Sequence, residues 1–139
     1  MVHALREIWR VLAPDSLLLD LRPLSEAWPV EVVGAGGVMV TGHVDESEDI
    51  ADDRAADAAL AAVEREGLFV RERDGDFDFS WYWDSLDEAQ AYIAEKWTEA
   101  RVPEEVLAET QRQMARAGEG ARVRVSTRVV ISRWRRLGH

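Results

Sequence analysis

The sequence predicts an α+β domain: a mixed, mostly antiparallel sheet with helices packed mainly on one face. Three stretches carry that reading. Phe77, Phe79, Trp81 and Trp83 alternate with Asp76, Asp78, Ser80 and Tyr82, so a strand here has one aromatic and one polar face. Val123, Val125, Thr127, Val129 and Ile131 alternate with Arg122, Arg124, Ser126, Arg128 and Val130, a second long strand with a basic outer face. Between them Leu86, Ala89, Tyr92, Ile93 and Trp97 recur at helical spacing behind Ser85, with Glu88 completing a capping box.

The remaining elements follow in order. Ala4, Leu5, Ile8, Trp9 and Leu12 place an amphipathic helix over residues 3–12, and Pro14-Asp15 turns the chain out of it. Leu17-Leu18-Leu19-Asp20-Leu21 is continuous rather than alternating, which predicts a strand covered on both faces. Pro23 and Pro29 bracket an irregular crossing. Val30 to Val33 and Val38 to Val44 are β-rich, and Gly34 to Gly37 between them reads as a hairpin loop. Six of the nine residues from Asp45 to Asp53 are acidic; they lead into an alanine-rich helix, whose positive end they suit. Ala55, Ala58, Ala59, Ala62 and Val63 give that helix a narrow apolar stripe, and Gly67 stops it. Asp74-Gly75 falls between two alternating runs, a strong signal for a two-residue hairpin turn. Pro103 suits a first helical position, and the helix it opens carries Val106, Leu107, Thr110 and Met114 inward before Gly118 and Gly120. With no internal repeat and no linker, residues 1–139 read as one domain, long enough to bury a core without staples.

Composition excludes several classes of function. There is no cysteine, so disulfides, thiolate metal sites and thiol nucleophiles are out, in keeping with a cytoplasmic setting. No apolar run approaches the roughly 20 residues of a membrane span, and Met1 to Arg10 carries charges where a signal peptide needs an apolar core. A net charge of −10 argues against nucleic acid as a partner. The charge is uneven, with six arginines and no acids from Ala121 to His139. That polarity would steer a cationic ligand or pair two protomers; solvated faces are the plainer reading.

Ala4-Leu5-Arg6-Glu7-Ile8-Trp9-Arg10-Val11-Leu12-Ala13-Pro14-Asp15-Ser16, followed by Leu17 to Leu21, resembles the middle of a class I S-adenosylmethionine-dependent methyltransferase. There a helix ends in a pattern like Arg-Val-Leu-x-Pro-Gly-Gly and enters the fifth strand of the sheet. Asp15 and Ser16 stand in place of the two glycines, and both tolerate turns. The resemblance covers about a sixth of the chain by this kind of pattern reading; beyond it, only the order of elements agrees, the family also closing on an antiparallel pair of strands. It implies the C-terminal half of such an enzyme. The half that binds the cofactor, with its glycine-rich turn after the first strand, would lie upstream of Met1. Gly34 to Gly37 follows no strand–helix pattern of that kind, so no cofactor is expected.

Candidate ligand-binding residues remain. Trp81, Tyr82 and Trp83, with Tyr92 and Trp97, have the flat, polar-edged surfaces that stack on planar or cationic ligands; the favoured reading is nonetheless that Trp81 and Trp83 join Phe77 and Phe79 in the core while Tyr82 stays exposed. Asp20 and Arg22 end the leucine-rich strand, where open sheets place ligand contacts, or they close the strand end as an ion pair. Arg122, Arg124 and Arg128 would meet an anion or solvent. His43 lies near Asp45, Glu46, Glu48 and Asp49, but no metal-ligand spacing is present, so no metal is expected. No serine has a Gly-x-Ser-x-Gly setting, and no catalytic residue is assigned. The leading expectation is a non-catalytic, methyltransferase-like module acting through a homodimer or a protein partner, because a strand that lacks a neighbour invites another chain. The alternatives are a small-molecule binding protein or enzyme with an aromatic pocket between sheet and helices, and a methyltransferase half completed by a partner chain.

Overall fold

In the computed structural model, residues 1–24, 26–45, 50–97 and 100–138 are described. They form α1 (Val2–Val11), β1 (Leu17–Pro23), β2 (Trp28–Gly34), β3 (Gly37–Val44), α2 (Ile50–Arg65), β4 (Phe69–Trp83), α3 (Leu86–Lys96), α4 (Glu104–Ala117) and β5 (Arg122–Arg136). The fold is α+β, with a mostly antiparallel, open five-stranded sheet and four helices. Local chemistry accounts for several boundaries. Asp15 adopts φ 62°, and Ser16 N–H bonds Ala13 O at 3.2 Å, closing the turn between α1 and β1. Ser85 Oγ accepts the Glu88 N–H at 3.2 Å, while the Glu88 carboxylate reaches back to Asp84 N–H rather than to the amide of the cap itself. Pro103 is the N-cap of α4, one residue earlier than its spacing predicts, and Gly118 closes that helix at φ 75°.

The sheet is organised on β5, whose 15 residues alternate long enough to hold partners along both edges. Residues 129–135 pair antiparallel with β1, from Leu17 opposite Arg135 to Pro23 opposite Val129. Residues 122–125 pair antiparallel with β2, which forms a hairpin with β3. β4 also pairs with β5. Its contacts run in opposite order along the two strands, Glu72 meeting Arg133 and Arg135, Asp76 meeting Arg128, and Ser80 meeting Ser126, so this pair is antiparallel too.

Contacts divide the chain into two compact units, Met1–Leu24, Ile50–Phe77 and Arg128–His139 in the first, Ser25–Asp49 and Asp78–Thr127 in the second. In the first, Leu60, Val63, Phe69 and Trp134 form the buried core, with Leu5, Ile8, Trp9, Leu12 and Leu18 packed half-buried against it. α1 itself buries no residue fully. Arg136 ties it down: its Nε donates to Trp9 O at 2.9 Å and its guanidinium lies 4.4 Å from the Trp9 ring centre. In the second, Trp28, Val30, Val44, Trp83, Val123 and Val125 join Leu86 and Ala89 of α3 and Val106 of α4 in one core. Within each unit the helices cover one face of the strands they pack on.

Three expectations are corrected. Asp74-Gly75 makes no turn: β4 runs unbroken from Phe69 to Trp83. A two-residue hairpin turn requires positive φ at one or both central residues, and neither Asp74 nor Gly75 has it. The partners that β5 offers on both sides of Gly75 hold the chain extended, with Ile131 Cγ2 filling the space beside the glycine. Second, β1 is not covered on both faces, since Leu17, Leu19 and Leu21 are 48%, 61% and 57% exposed. Third, Phe77 and Phe79 stay 45% exposed; Trp83 is buried and Trp81 packs half-buried against the core of the second unit.

Candidate functional site

The first unit holds an open cleft of about 640 Å³, within the size range of small-molecule sites. One wall comes from β1 and α2. Arg22 Nε bonds both carboxylate oxygens of Asp20 at 3.0 Å, Nη2 bonds Asp57 Oδ1 at 2.7 Å, and Nη1 reaches Asp53 O at 3.3 Å. Burial pulls the Arg22 guanidinium down, but the hydrogen bonds to Asp20 and Asp57 outweigh it, and the group stays more basic than usual. The opposite wall comes from β4 and β5. Arg71 lies 5.0 Å from the centre of the Trp134 ring and 3.5 Å from Asp74, and Asp76 is held by Arg128 at 2.8 Å. Trp134 Nε1 donates to Ser132 Oγ at 2.7 Å, so this buried indole has no unmet donor. The cleft therefore brings four carboxylates (Asp20, Asp57, Asp74, Asp76) and two guanidinium groups (Arg22, Arg71) to one polar surface. Asp20 and Arg22 form the ion pair that their spacing allows, and the pair lines a cleft.

β1 has a second exposed side. Arg136 N–H bonds Ser16 O and Leu24 N–H bonds Arg128 O, both at 2.8 Å, which fixes the hydrogen-bonding parity of the β1–β5 ladder. Even-numbered residues of β1 direct their backbone groups at β5. The N–H and C=O of Leu17, Leu19 and Leu21 point the other way, and among the described residues no strand pairs with that edge. Pro23 belongs to the same odd set, so its missing N–H falls on the free edge, the position in which a strand tolerates proline.

The other predicted residues lie in the second unit and separate into two groups. Trp81 stacks on Trp28 with ring centres 5.4 Å apart, and Trp97 meets Trp28, Trp81, Trp83 and Tyr92 with centres 4.8–6.1 Å apart. The rings of Trp81, Trp83, Tyr92 and Trp97 thus pack on one another and against the core. Tyr82 is on the opposite strand face, 41% exposed, with the Arg122 guanidinium 4.6 Å from its ring centre and Arg124 Nη1 donating to its hydroxyl at 3.4 Å. The basic strand face is neutralised residue by residue: Arg124 bonds Glu31 at 2.5 Å, Arg122 bonds Asp84 at 3.3 Å and, in the first unit, Arg128 bonds Asp76. Glu31, only 9% exposed, drives the Arg124 guanidinium to a higher pKa, with the Tyr82 hydroxyl adding to the effect. His43 is exposed on β3, and Glu46, Glu48 and Asp49 lie outside the described residues.

Sequence reasoning missed Asp57, Arg71 and Trp134. Asp57 was hidden in an alanine-rich helix read for its apolar stripe. Trp134 departs from the odd-numbered alternation of β5; the run Val129-Val130-Ile131 before it is the signal that the buried set changes, from Val123, Val125 and Val129 to Trp134 and Arg136. No family model, curated protein or solved structure matches this chain, so its residues alone carry the functional reading.

Proposed function

We propose that this protein is a non-catalytic, methyltransferase-like module that acts by binding another chain along β1, in the simplest case a second copy of itself. One observation carries the reading: β1 is an edge strand that also exposes Leu17, Leu19 and Leu21. An unpaired backbone edge is a template for another chain, and fully burying a leucine contributes roughly 1.5–3 kcal/mol. The fold supports the family likeness in two respects. The helix α1 enters β1 through the Pro14-Asp15 turn, and the last two strands, β4 and β5, are an antiparallel pair. Sedimentation tests the proposal. A dimer at micromolar concentration is expected, and the double variant L19K/L21K should shift it to monomer without loss of secondary structure by circular dichroism; a wild-type monomer at those concentrations argues against self-association.

The cleft favours a second reading, a small-molecule binding protein. Four carboxylates around two arginines suit a cationic ligand. A thermal-shift screen with amines and guanidinium compounds separates the two readings, because a ligand of the native state raises the Tm. Calorimetry with S-adenosylmethionine, on the chain alone and with candidate partners, tests whether a partner completes a methyltransferase.

A further inference from the structure

Resting on the proposal of self-association, we infer that two copies pair β1 against β1, antiparallel, about a two-fold axis through Leu21. The ladder parity limits the choices. On the free edge the odd residues carry the hydrogen-bonding groups, so in a two-fold pair odd residues face odd residues and even residues face even ones. Three centres keep most of β1 paired: Leu19, Asp20 and Leu21. Centring on Asp20 sets two carboxylates directly opposite each other. Centring on Leu19 sets Asp20 against Leu18 and leaves Arg22 opposite Ser16, so neither charge has a cross-strand counterpart. Centring on Leu21 sets Asp20 opposite Arg22 of the second copy, twice.

That last register fits what β1 already shows. Asp20 and Arg22 of one chain are bonded at 3.0 Å with side chains 18% and 20% exposed, poised on one strand face beside the free edge. Even-numbered residues form the non-hydrogen-bonded pairs of the new ladder, in which side chains approach most closely, at about 4.5 Å between Cα atoms. The two intrachain pairs and the two interchain pairs then close a ring of four alternating charges, and opposite charges facing across strands stabilise a ladder. The backbone is consistent with it. Leu21 exchanges both hydrogen bonds with its copy, and Leu19 N–H donates to Pro23 C=O, which asks nothing of the proline nitrogen. The three leucines of each copy meet at the seam as one apolar strip.

The absence of cysteine makes the register directly readable, because a single introduced cysteine has no other partner. In this register the Leu21 Cα atoms of the two copies lie about 5.5 Å apart, inside disulfide range, and the Leu19 Cα atoms about 14 Å apart, far outside it. Both side chains are more than half exposed, so neither substitution disturbs a core. Under mild oxidation L21C is expected to become a covalent dimer and L19C to stay uncrosslinked. D20R should weaken the dimer at least tenfold. Crosslinking of L19C instead, or of both variants alike, overturns the register. A wild-type dimer that neither cysteine captures overturns the Leu21-centred register while self-association stands. A wild-type monomer removes the parent proposal and this one with it.

Discussion

The two units solve the same problem with different completeness. Among the described residues the second gathers nine in one core cluster, and its half-buried tryptophans and Tyr92 pack ring on ring around it. Among the described residues the first gathers four in its core cluster, leans on a helix with no fully buried residue, and leaves a cleft of about 640 Å³ between charged walls. It also leaves three leucines of β1 in solvent. Where packing is complete, polar groups serve the fold, as Glu31 and Arg124 do in pairing with each other. Where it is incomplete, apolar surface and charge remain available to something else. On the function proposed above, the first unit is the one that would meet a partner.

Several measurements break or sharpen this contrast. The largest effect belongs to W134A, which removes the main side chain of the smaller core, 2% exposed. It should cost about 3–5 kcal/mol in urea unfolding, with amide protection lost first in α1 and α2; protection lost evenly over both units would break the distinction. G42A tests the tighter packing of the second unit. An added Cβ would lie 2.9 Å from Val106 Cγ1 and closer still to Cγ2. Overpacking of this kind should cost about 1–3 kcal/mol by the same measurement. T110V is smaller. The Thr110 hydroxyl, fully buried, bonds Val106 O and Thr41 Oγ1 at 2.7 Å each, and its loss should cost about 1–2 kcal/mol.

The smallest effect is electrostatic and lies in the first unit. Hydrogen bonding by Arg135, aided by Arg133, holds the Glu72 carboxyl below its ordinary value of 4.5. A carboxyl lowered by folding contributes stability above its unfolded value and loses it as pH falls through the folded one. Stability of the wild type should therefore decline below about pH 4.5, and E72Q should show a shallower decline over that range. An identical acid profile would show that solvent screens this exposed cluster completely.

Much of the fold was legible because its signals are local. The Ser85 cap, the Gly34 to Gly37 hairpin, the alternation of β5 and the glycine stop of α4 all act within a few residues. Asp74-Gly75 was misread because a turn preference of two residues competes with partners all along β5, and those partners are far away in sequence. β1 was misread for a related reason. Four leucines in five residues look the same whether a strand is buried on both faces or bares one of them. Of the cleft, Asp20 and Arg22 were visible as neighbours on a strand, whereas Asp57, Arg71 and Trp134 come from three other elements that only the folded chain assembles.

The pairing of Leu17–Pro23 with Val129–Arg135 also has a consequence for biosynthesis. β1 must wait for residues more than a hundred positions later to be made before it finds its place, and Arg136, which latches α1, emerges later still. Until then a leucine-rich segment travels uncovered on the nascent chain, a natural target for chaperones, and removal of β5 should leave α1 and β1 open to proteases.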